Sequence, residues 1–306
     1  MNYVNKKFQF MILPAVIIVL GIVMYLVHGG FNYDIEFMGG VRMQVAVNAD
    51  FNNDDIVKAV QDKTGITVTV QKTGTDNKSA LIKTPPIEDA QKDEVFNAVK
   101  EKYSLGDEAL VSSSSASASF GKEVQQKAFV YTLIAILCIL AYIAFRFEWR
   151  SAIMAVVALV INVLVMMAVY TITNIPLNTT FIAAMLTVVG YSINNTIVIF
   201  DRVRENMKRA AAKRSYSVID TVNTSITESM GRTVNSTITT LITIVLLYIL
   251  GVSTIREFAL PLIVGIVAGA YSSIFIAGPL WASWKEAEKQ AKAEAAAQAK
   301  TKKKNK

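Results

Sequence analysis

Charged residues are scarce in this chain: Asp, Glu, Lys and Arg make up 18% of it, against about 25% in a typical soluble domain. The chain has one histidine, His28, and one cysteine, Cys138. A single cysteine excludes an internal disulfide and leaves the redox compartment open. No zinc, phosphate-loop or dinucleotide-binding pattern is present. The sequence therefore gives no support to conventional enzymatic catalysis, and we expect no cofactor and no catalytic residue.

Hydrophobic residues, in contrast, make up 53% of the chain and gather into apolar runs. Each run is close to the roughly 20 residues that an α-helix needs to cross a bilayer. The first run follows Lys6 and Lys7 but is not followed by a small-residue cleavage site, so we interpret it as a retained helix and not as a signal peptide. The chain is thus predicted to be an integral membrane protein with six spanning helices. The predicted runs are Phe8–Val27, Ala128–Phe145, Ala152–Thr173, Thr179–Phe200, Val234–Leu250 and Phe258–Trp281.

The net charge of +7 comes from short basic segments beside the apolar runs. This pattern is typical of orientation signals and not of a nucleic-acid-binding surface. The basic segments contain Arg146 and Arg150, the loop 201–216 and the lysine-rich tail 285–306. All of them fall on one side of the cell membrane if both termini are cytoplasmic. The predicted division is 1–28 (N-terminus and first helix), 29–124 (extracytoplasmic domain), 125–284 (remaining helices) and 285–306 (cytoplasmic tail).

Residues 29–124 form the only polar region large enough for a soluble domain. Its alternating β-branched segments predict strands, and its apolar residues at helical spacing predict two helices. The serine-rich run near its end is either a last strand or a flexible linker over Ser112–Ser119. With the strand, the order is βαββαβ, and we expect a small α+β ferredoxin-like domain. The predicted elements are strands at Val41–Val47, Ile66–Val70 and Ala80–Lys83, helices at Asn52–Lys63 and Glu88–Tyr103, and a turn at Gly74–Lys78.

The fourth apolar run carries polar side chains where hydrocarbon is expected. Ser192, Asn194, Asn195 and Thr196 lie inside it, and Asn162 lies in the middle of the third run. An amide in hydrocarbon is unfavourable without a hydrogen-bond partner, so we expect these side chains to face the helix bundle or water. They could serve only as contacts between helices, or they could take part in ion coupling. Gly190 is predicted to allow close approach of a neighbouring helix.

Arg232 precedes the fifth apolar run and lies four residues after Glu228. Side chains at this spacing share one face of a helix, so we predict that the two form an ion pair. The polar residues at 233–240 favour a hydrated seam between helices, and the alternative is an arginine that extends to the membrane surface. Gly265 and Gly269 in the sixth run predict a helix-packing face of small residues.

Four segments resemble the SecF family of the bacterial protein-export machinery. They are residues 31–40, 191–206, 229–240 and 271–280, in the order in which the family has them. The resemblance implies a six-helix half of an RND-type pump that pairs with SecD. It also implies work beside the SecYEG channel, with YajC and YidC as further candidate partners, and use of an ion gradient to pull a preprotein outward.

The chain departs from the family pattern at two positions. The family usually has an aspartate where Asn195 stands and another where Asn162 stands. The resemblance implies that the first carboxylate takes part in proton passage with the arginine that matches Arg232. An amide does not bind and release a proton near neutral pH, so proton coupling through Asn195 is excluded.

Three explanations of this departure remain open. Glu228 could carry the proton beside Arg232, which would favour its charged form. Neutral oxygens of Asn162, Ser192 and Asn195 could instead hold a sodium ion, a hard cation suited to oxygen ligands. A carboxylate of SecD could also carry the coupling alone. No other metal site is expected.

Gly39 and Gly40 are the expected hinge between the first helix and the outer domain, because glycine accepts backbone angles that other residues avoid. An ordinary turn before the first strand is the alternative. Two other functions stay open. The chain could export small molecules or lipids, although its outer region is small and acidic. It could also be a non-pumping scaffold subunit, because it lacks both aspartates that the family usually has at positions 162 and 195.

Overall fold

A computed structural model describes residues 2–74, 78–146, 148–211 and 216–304. Residues 75–77 of the predicted turn, and Lys213 and Arg214 of the predicted basic loop, lie outside these ranges. Within them, six helices are long and apolar enough to cross a membrane, as the sequence predicts. These candidate spans are Lys7–His28, Gly121–Phe145, Trp149–Ile172, Thr179–Ala211, Val218–Leu250 and Ile255–Lys292.

A small sheet domain is inserted after the first spanning helix. Its four strands form one antiparallel sheet in the order β2-β3-β1-β4. The apolar faces of the strands and of two helices enclose one core, with Val45, Ile56 and Val99 fully buried. The elements up to this point are α1 (Lys7–His28), α2 (Ile35–Met38), β1 (Gly40–Ala46), α3 (Asn53–Thr64), β2 (Thr69–Thr73), β3 (Ser79–Thr84), α4 (Asp89–Tyr103) and β4 (Leu110–Ala116).

The serine-rich run belongs to β4, which confirms the strand interpretation. The alternative prediction of a flexible linker over Ser112–Ser119 is wrong for Ser112–Ala116. Ser112–Ser115 pair with β1, so the backbone hydrogen bonds of β1 hold the run in the sheet although its side chains are exposed. The second strand begins at Thr69 and not at Ile66. Gly65 ends α3 in the left-handed conformation (φ +69°), and the chain needs a few residues to turn back towards the sheet.

The remaining elements form the membrane bundle with α1. The fifth candidate span is longer than predicted, because its helix begins at Val218 and not at Val234. Ser225, Ser229 and Thr237 are buried here, and each hydroxyl donates to a carbonyl four residues earlier, so helix can form through a polar segment. The bundle contains α5 (Ala118–Arg146), α6 (Trp149–Ile172), α7 (Thr179–Ala211), α8 (Val218–Leu250), α9 (Ser253–Ser272), a π-helical turn (Ser273–Ala277) and α10 (Gly278–Lys304).

The segment that leads into the sheet domain is bound to the loop between α6 and α7. The backbone N–H of Asp34 donates to the Leu177 carbonyl (2.8 Å), and the Leu177 N–H donates to the Asn32 carbonyl (2.8 Å). The Thr179 hydroxyl donates to Glu36 Oε2 (2.5 Å) at the first residue of α7. This contact connects the base of the sheet domain directly to a membrane helix.

Candidate functional site

Five buried polar side chains meet between α6, α7 and the junction of α9 with the π-helical turn. We name Asn162, Ser192, Thr196, Ser272 and Ser273 the polar cluster; none of them is more than 2% exposed. The Thr196 and Ser273 hydroxyls lie 2.8 Å apart and reach the Ser192 carbonyl at 3.1 and 3.2 Å. The cluster therefore links three elements inside the bundle by hydrogen bonds.

Asn162 is the centre of these contacts. With its amide nitrogen towards α9, it donates to the Ala268 carbonyl (3.0 Å) and to Ser272 Oγ (2.6 Å). Its oxygen then accepts from Ser192 Oγ (3.1 Å). Gly269 makes room for this contact, because a Cβ there would lie 2.1 Å from Ser192 Oγ. The prediction that Asn162 finds partners inside the bundle is confirmed.

The π-helical turn at Ser273–Ala277 interrupts the last spanning helix beside the polar cluster. A π-helical turn widens the helix by one residue and is frequent at functional sites. Here it begins at Ser273, whose side chain is fully buried and bonded to α7. The irregular turn and the polar cluster therefore form one continuous feature.

Asn195 lies on a different contact, between α7 and α8. Tyr191, Asn195 and Arg202 share one face of α7. The Tyr191 hydroxyl bonds to the Ser236 carbonyl (3.0 Å), and Arg202 Nε bonds to Glu228 Oε2 (2.6 Å), so this face contacts α8. Asn195 is 3% exposed, yet its Nδ2 has no hydrogen-bond partner among the described residues.

Thr233 is the matching residue of α8. It lies between Glu228 and Ser236, at the level that faces Asn195. Thr233 is 2% exposed, and its Oγ1 likewise has no partner within the part of the chain that the structure describes. Buried polar groups are seldom left unpaired, and those that are often have a functional role. The contact of α7 with α8 thus holds two unpaired polar groups inside a membrane bundle.

The other predicted site residues of α7 and α8 lie on the outside of the bundle. Asn194, Gly190 and Arg232 are exposed, and so are Asn235 and Thr239 on α8. We name the four polar residues among them (Asn194, Arg232, Asn235 and Thr239) the exposed polar stripe. Arg232 has no ion-pair partner in the described ranges. A stripe of this polarity in a spanning segment is not suited to lipid contact.

Two predictions about individual residues are wrong. Glu228 does not pair with Arg232: its carboxylate accepts from Arg202 Nε (2.6 Å) and Asn206 Nδ2 (2.7 Å), because those groups lie opposite it on α7. Gly190 does not allow a close helix approach, since a Cβ there would meet nothing within 4 Å in the described structure. The close approaches occur at Gly265, against Val188, and at Gly269, as predicted for the sixth run.

Gly39 and Gly40 both have positive φ, +81° and +144°. A Cβ on Gly40 would lie 2.1 Å from the Thr84 carbonyl, so only glycine fits the start of β1. Immediately before them, Asp34 caps α2 and binds Lys83 of β3 in a buried ion pair (2.6 Å). The glycine pair therefore lies between a segment bound to the membrane bundle and the first strand of the sheet.

Sequence reasoning did not single out Ser272 or Ser273 as site residues, and it named Thr196 and Thr233 only among the polar residues of their helices. Each is a small hydroxyl residue inside an apolar run, which is ordinary in membrane helices because the hydroxyl can bond to its own backbone. Only the crossing of α7 with α8 and α9 shows which hydroxyls meet another helix. Among the described residues, no group of three His, Cys, Asp or Glu side chains is placed to hold a metal ion.

Fold and site together define a class: a multi-pass membrane protein with a sheet domain inserted after its first helix and polar contacts inside its helix bundle. Residues 95–287 match the family described as protein export membrane protein SecD/SecF, C-terminal. The chain is 34% identical to the protein translocase subunit SecF of Desulfurispirillum indicum over 265 residues, which cover 84% of this chain and 83% of the relative. The chain therefore belongs to the SecD/SecF family, as a SecF-type protein translocase subunit.

Two further relatives are longer than this chain. The SecDF protein of Bacillus subtilis is 33% identical over 94% of this chain, which spans 38% of that protein. The crystal structure of SecDF from Thermus thermophilus, described as a translocon-associated membrane protein, matches with a TM-score of 0.81 and 29% identity. That match covers 94% of this chain and 39% of the SecDF chain. The present chain thus corresponds to well under half of each SecDF protein.

Proposed function

We propose that this chain works with SecD beside the SecYEG channel and uses an ion gradient to drive late movement of preproteins across the cell membrane. The observation that carries this proposal is the exposed polar stripe on α7 and α8. Arg232, Asn194 and Asn235 need a polar surface to cover them in the bilayer, and a second membrane subunit can provide one. In this role the chain binds a partner and is not itself an enzyme.

SecD is the proposed partner because two relatives are SecDF proteins. This chain matches only 38% and 39% of their lengths, so each of them contains a further part that this chain lacks. Six helices in such a relative would be half of a larger bundle, as in an RND-type pump with two repeats. The stripe would then lie at the interface of the two halves. SecYEG, YajC and YidC stay predictions from the family.

For ion coupling, we propose that a carboxylate of SecD carries the proton and meets Arg232 of this chain. Arg232 is exposed, and Glu228 is bound to Arg202 and Asn206, which speaks against Glu228 as a relocated proton carrier. Asn162 and Ser192 bond to each other and to neighbouring groups, which speaks against a sodium site that would include Asn195. Asn195 would then line the seam without titrating.

The proposed motion is a shift of α7 against α8 that reaches the sheet domain. The unpaired groups of Asn195 and Thr233 leave the middle of this contact without hydrogen bonds to break, between the bonds of Tyr191 and of Arg202 on either side. The Thr179–Glu36 bond at the start of α7 would transmit the shift, and Gly39 and Gly40 would act as the hinge. The strand order β2-β3-β1-β4 with helices after β1 and β3 supports a ferredoxin-like domain. We place this domain outside the cell membrane and both termini in the cytoplasm, from the basic segments.

The test uses two charge-removing variants of the complex with SecD. We expect Arg232→Gln to abolish the gradient-dependent part of preprotein export, because the arginine at the interface is lost. The matched control Glu228→Gln should keep it, because Glu228 only joins α7 to α8 at the exposed end of their contact. Export into vesicles with an imposed proton gradient, measured with and without sodium, is the readout.

Normal export by Arg232→Gln would contradict the coupling role and would favour a scaffold subunit. Loss of export in Glu228→Gln, with normal export in Arg232→Gln, would support the hypothesis that Glu228 carries the proton. Export that stops when sodium is removed would favour the sodium hypothesis for Asn162, Ser192 and Asn195.

A further inference from the structure

A cavity that shares no lining residue with the polar cluster lies where α6 and α10 begin and α7 ends. Its volume is about 570 Å³, which lies within the range of small-molecule sites. Its apolar walls come from Phe200, Val203 and Trp281. The cavity is on the side of the bundle that we propose to be cytoplasmic.

Three cationic side chains line this cavity: Arg204, Lys208 and Lys285. Lys285 is bound to Glu148 at 2.9 Å, and Glu148 is the carboxylate among the lining residues. Lys208 is exposed and has no ion-pair partner in the ranges that the structure describes. The charge of the cavity is thus positive, with an unpaired ammonium group at its edge.

Two buried donors lie in the walls of the same cavity. Trp281 is 5% exposed, and its Nε1–H has no acceptor among the described residues. Ser151 is also 5% exposed and adds a hydroxyl to the same wall. A buried donor without an acceptor is unfavourable, so the Trp281 Nε1–H is suited to an acceptor that enters the cavity.

We propose that this cavity binds the phosphate headgroup of an anionic phospholipid. The cations and donors match a phosphate, which accepts several hydrogen bonds at once. The position favours a lipid over a soluble phosphate, because the cavity opens at the ends of spanning helices and has aromatic walls, as interfacial sites have. Basic pockets between membrane helices bind such headgroups in other proteins. This site is independent of the proposed export function.

The test is native mass spectrometry of the full chain in mild detergent with added phosphatidylglycerol or phosphatidylcholine. We expect the chain to retain phosphatidylglycerol in preference to phosphatidylcholine. Lys208→Gln should lower this retention about fivefold, the effect of one lost cation near a headgroup. The matched control is Arg209→Gln, which also removes one positive charge, at the next residue of the helix. The Arg209 side chain is bound to Glu205 and does not line the cavity. This control should retain the lipid like the unchanged chain.

Three results would overturn the proposal. The first is equal retention of the two lipids, and the second is unchanged retention by Lys208→Gln or an equal loss by Arg209→Gln. The third is glycerol 3-phosphate binding as tightly as phosphatidylglycerol, which would assign the cavity to a soluble phosphate. Circular dichroism spectra of both variants check that the helices are retained.

Discussion

At the scale of single residues, small and polar side chains set how closely the membrane helices approach. Gly269 lets α9 approach α7 so that Ser192 and Asn162 reach each other. In lipid, such contacts replace the hydrophobic effect as the source of helix association. Whether a glycine permits close helix packing depends on its position in the bundle and not on residue type alone. Gly190 is an example, because a Cβ there would have no neighbour within 4 Å among the described residues.

Gly269→Ala should therefore lower the free energy of unfolding by about 1–3 kcal/mol, because its Cβ would lie 2.1 Å from Ser192 Oγ. Gly190→Ala is the matched control and should be neutral or stabilising by roughly 0.5–1 kcal/mol, since alanine favours helix and has free space there. Thermal unfolding in detergent measures both. Equal destabilisation by the two changes would contradict the described packing of α7 and α9.

The two buried asparagines should respond differently to Leu. Asn162→Leu removes the side-chain partner of Ser192 and one of the bonds of Ser272, which still donates to the Gly269 carbonyl, and should cost about 1–3 kcal/mol of stability. Asn195→Leu removes an amide nitrogen that bonds to nothing in the described structure, so stability should change by less than about 1 kcal/mol. Export should nevertheless fall in Asn195→Leu if the seam must stay hydrated. A larger loss of stability at Asn195 than at Asn162 would contradict this account.

At the scale of elements, a charged contact fixes the sheet domain to the segment that is bound to the loop between α6 and α7. The Lys83–Asp34 pair is almost completely buried, with side chains 5% and 1% exposed. Removing only one partner of a buried ion pair is strongly destabilising, because the remaining charge then lacks its compensating charge. The pair thereby links the start of α2 to β3 and limits how far the sheet can turn about Gly39 and Gly40.

Lys83→Met should destabilise the chain by about 3–5 kcal/mol, because the buried Asp34 would lose its 2.6 Å ion pair and keep only the longer contact with Arg42 (3.8 Å). The double change Asp34→Asn with Lys83→Met should recover most of this loss, since asparagine keeps the cap of α2. As a surface control, Lys92→Met breaks an exposed pair with Asp89 and should change stability by at most about 1 kcal/mol. Denaturant unfolding monitored in the sheet domain gives the values. A double variant as unstable as the single one would refute the role of the pair.

At the scale of the whole molecule, exposed apolar faces and the exposed polar stripe need different surroundings. Ile12 and Leu137, on α1 and α5, are more than half exposed and suit lipid. Asn235 and Arg232, on α8, suit a protein partner. The bundle thus has a lipid side and a side that we assign to SecD.

A photo-crosslinking residue at position 235 should capture SecD in membranes, whereas the same residue at position 137 should not. Both positions are exposed on spanning helices, so accessibility to the probe is matched. Immunoblotting of the crosslinked complex detects SecD. Capture from position 137 alone would place the partner on the opposite side of the bundle.

The sequence by itself determined the membrane class, the six spans, the strands of the sheet domain and the family, because these depend on local hydrophobic pattern and local motifs. It also indicated that Asn162 must find partners. Only the tertiary structure decided which partners: Glu228 binds Arg202 and not Arg232, because a residue on another helix lies closer than the one four positions away. The separation of buried Asn195 from exposed Arg232 likewise follows from how α7 crosses α8, which no local pattern contains.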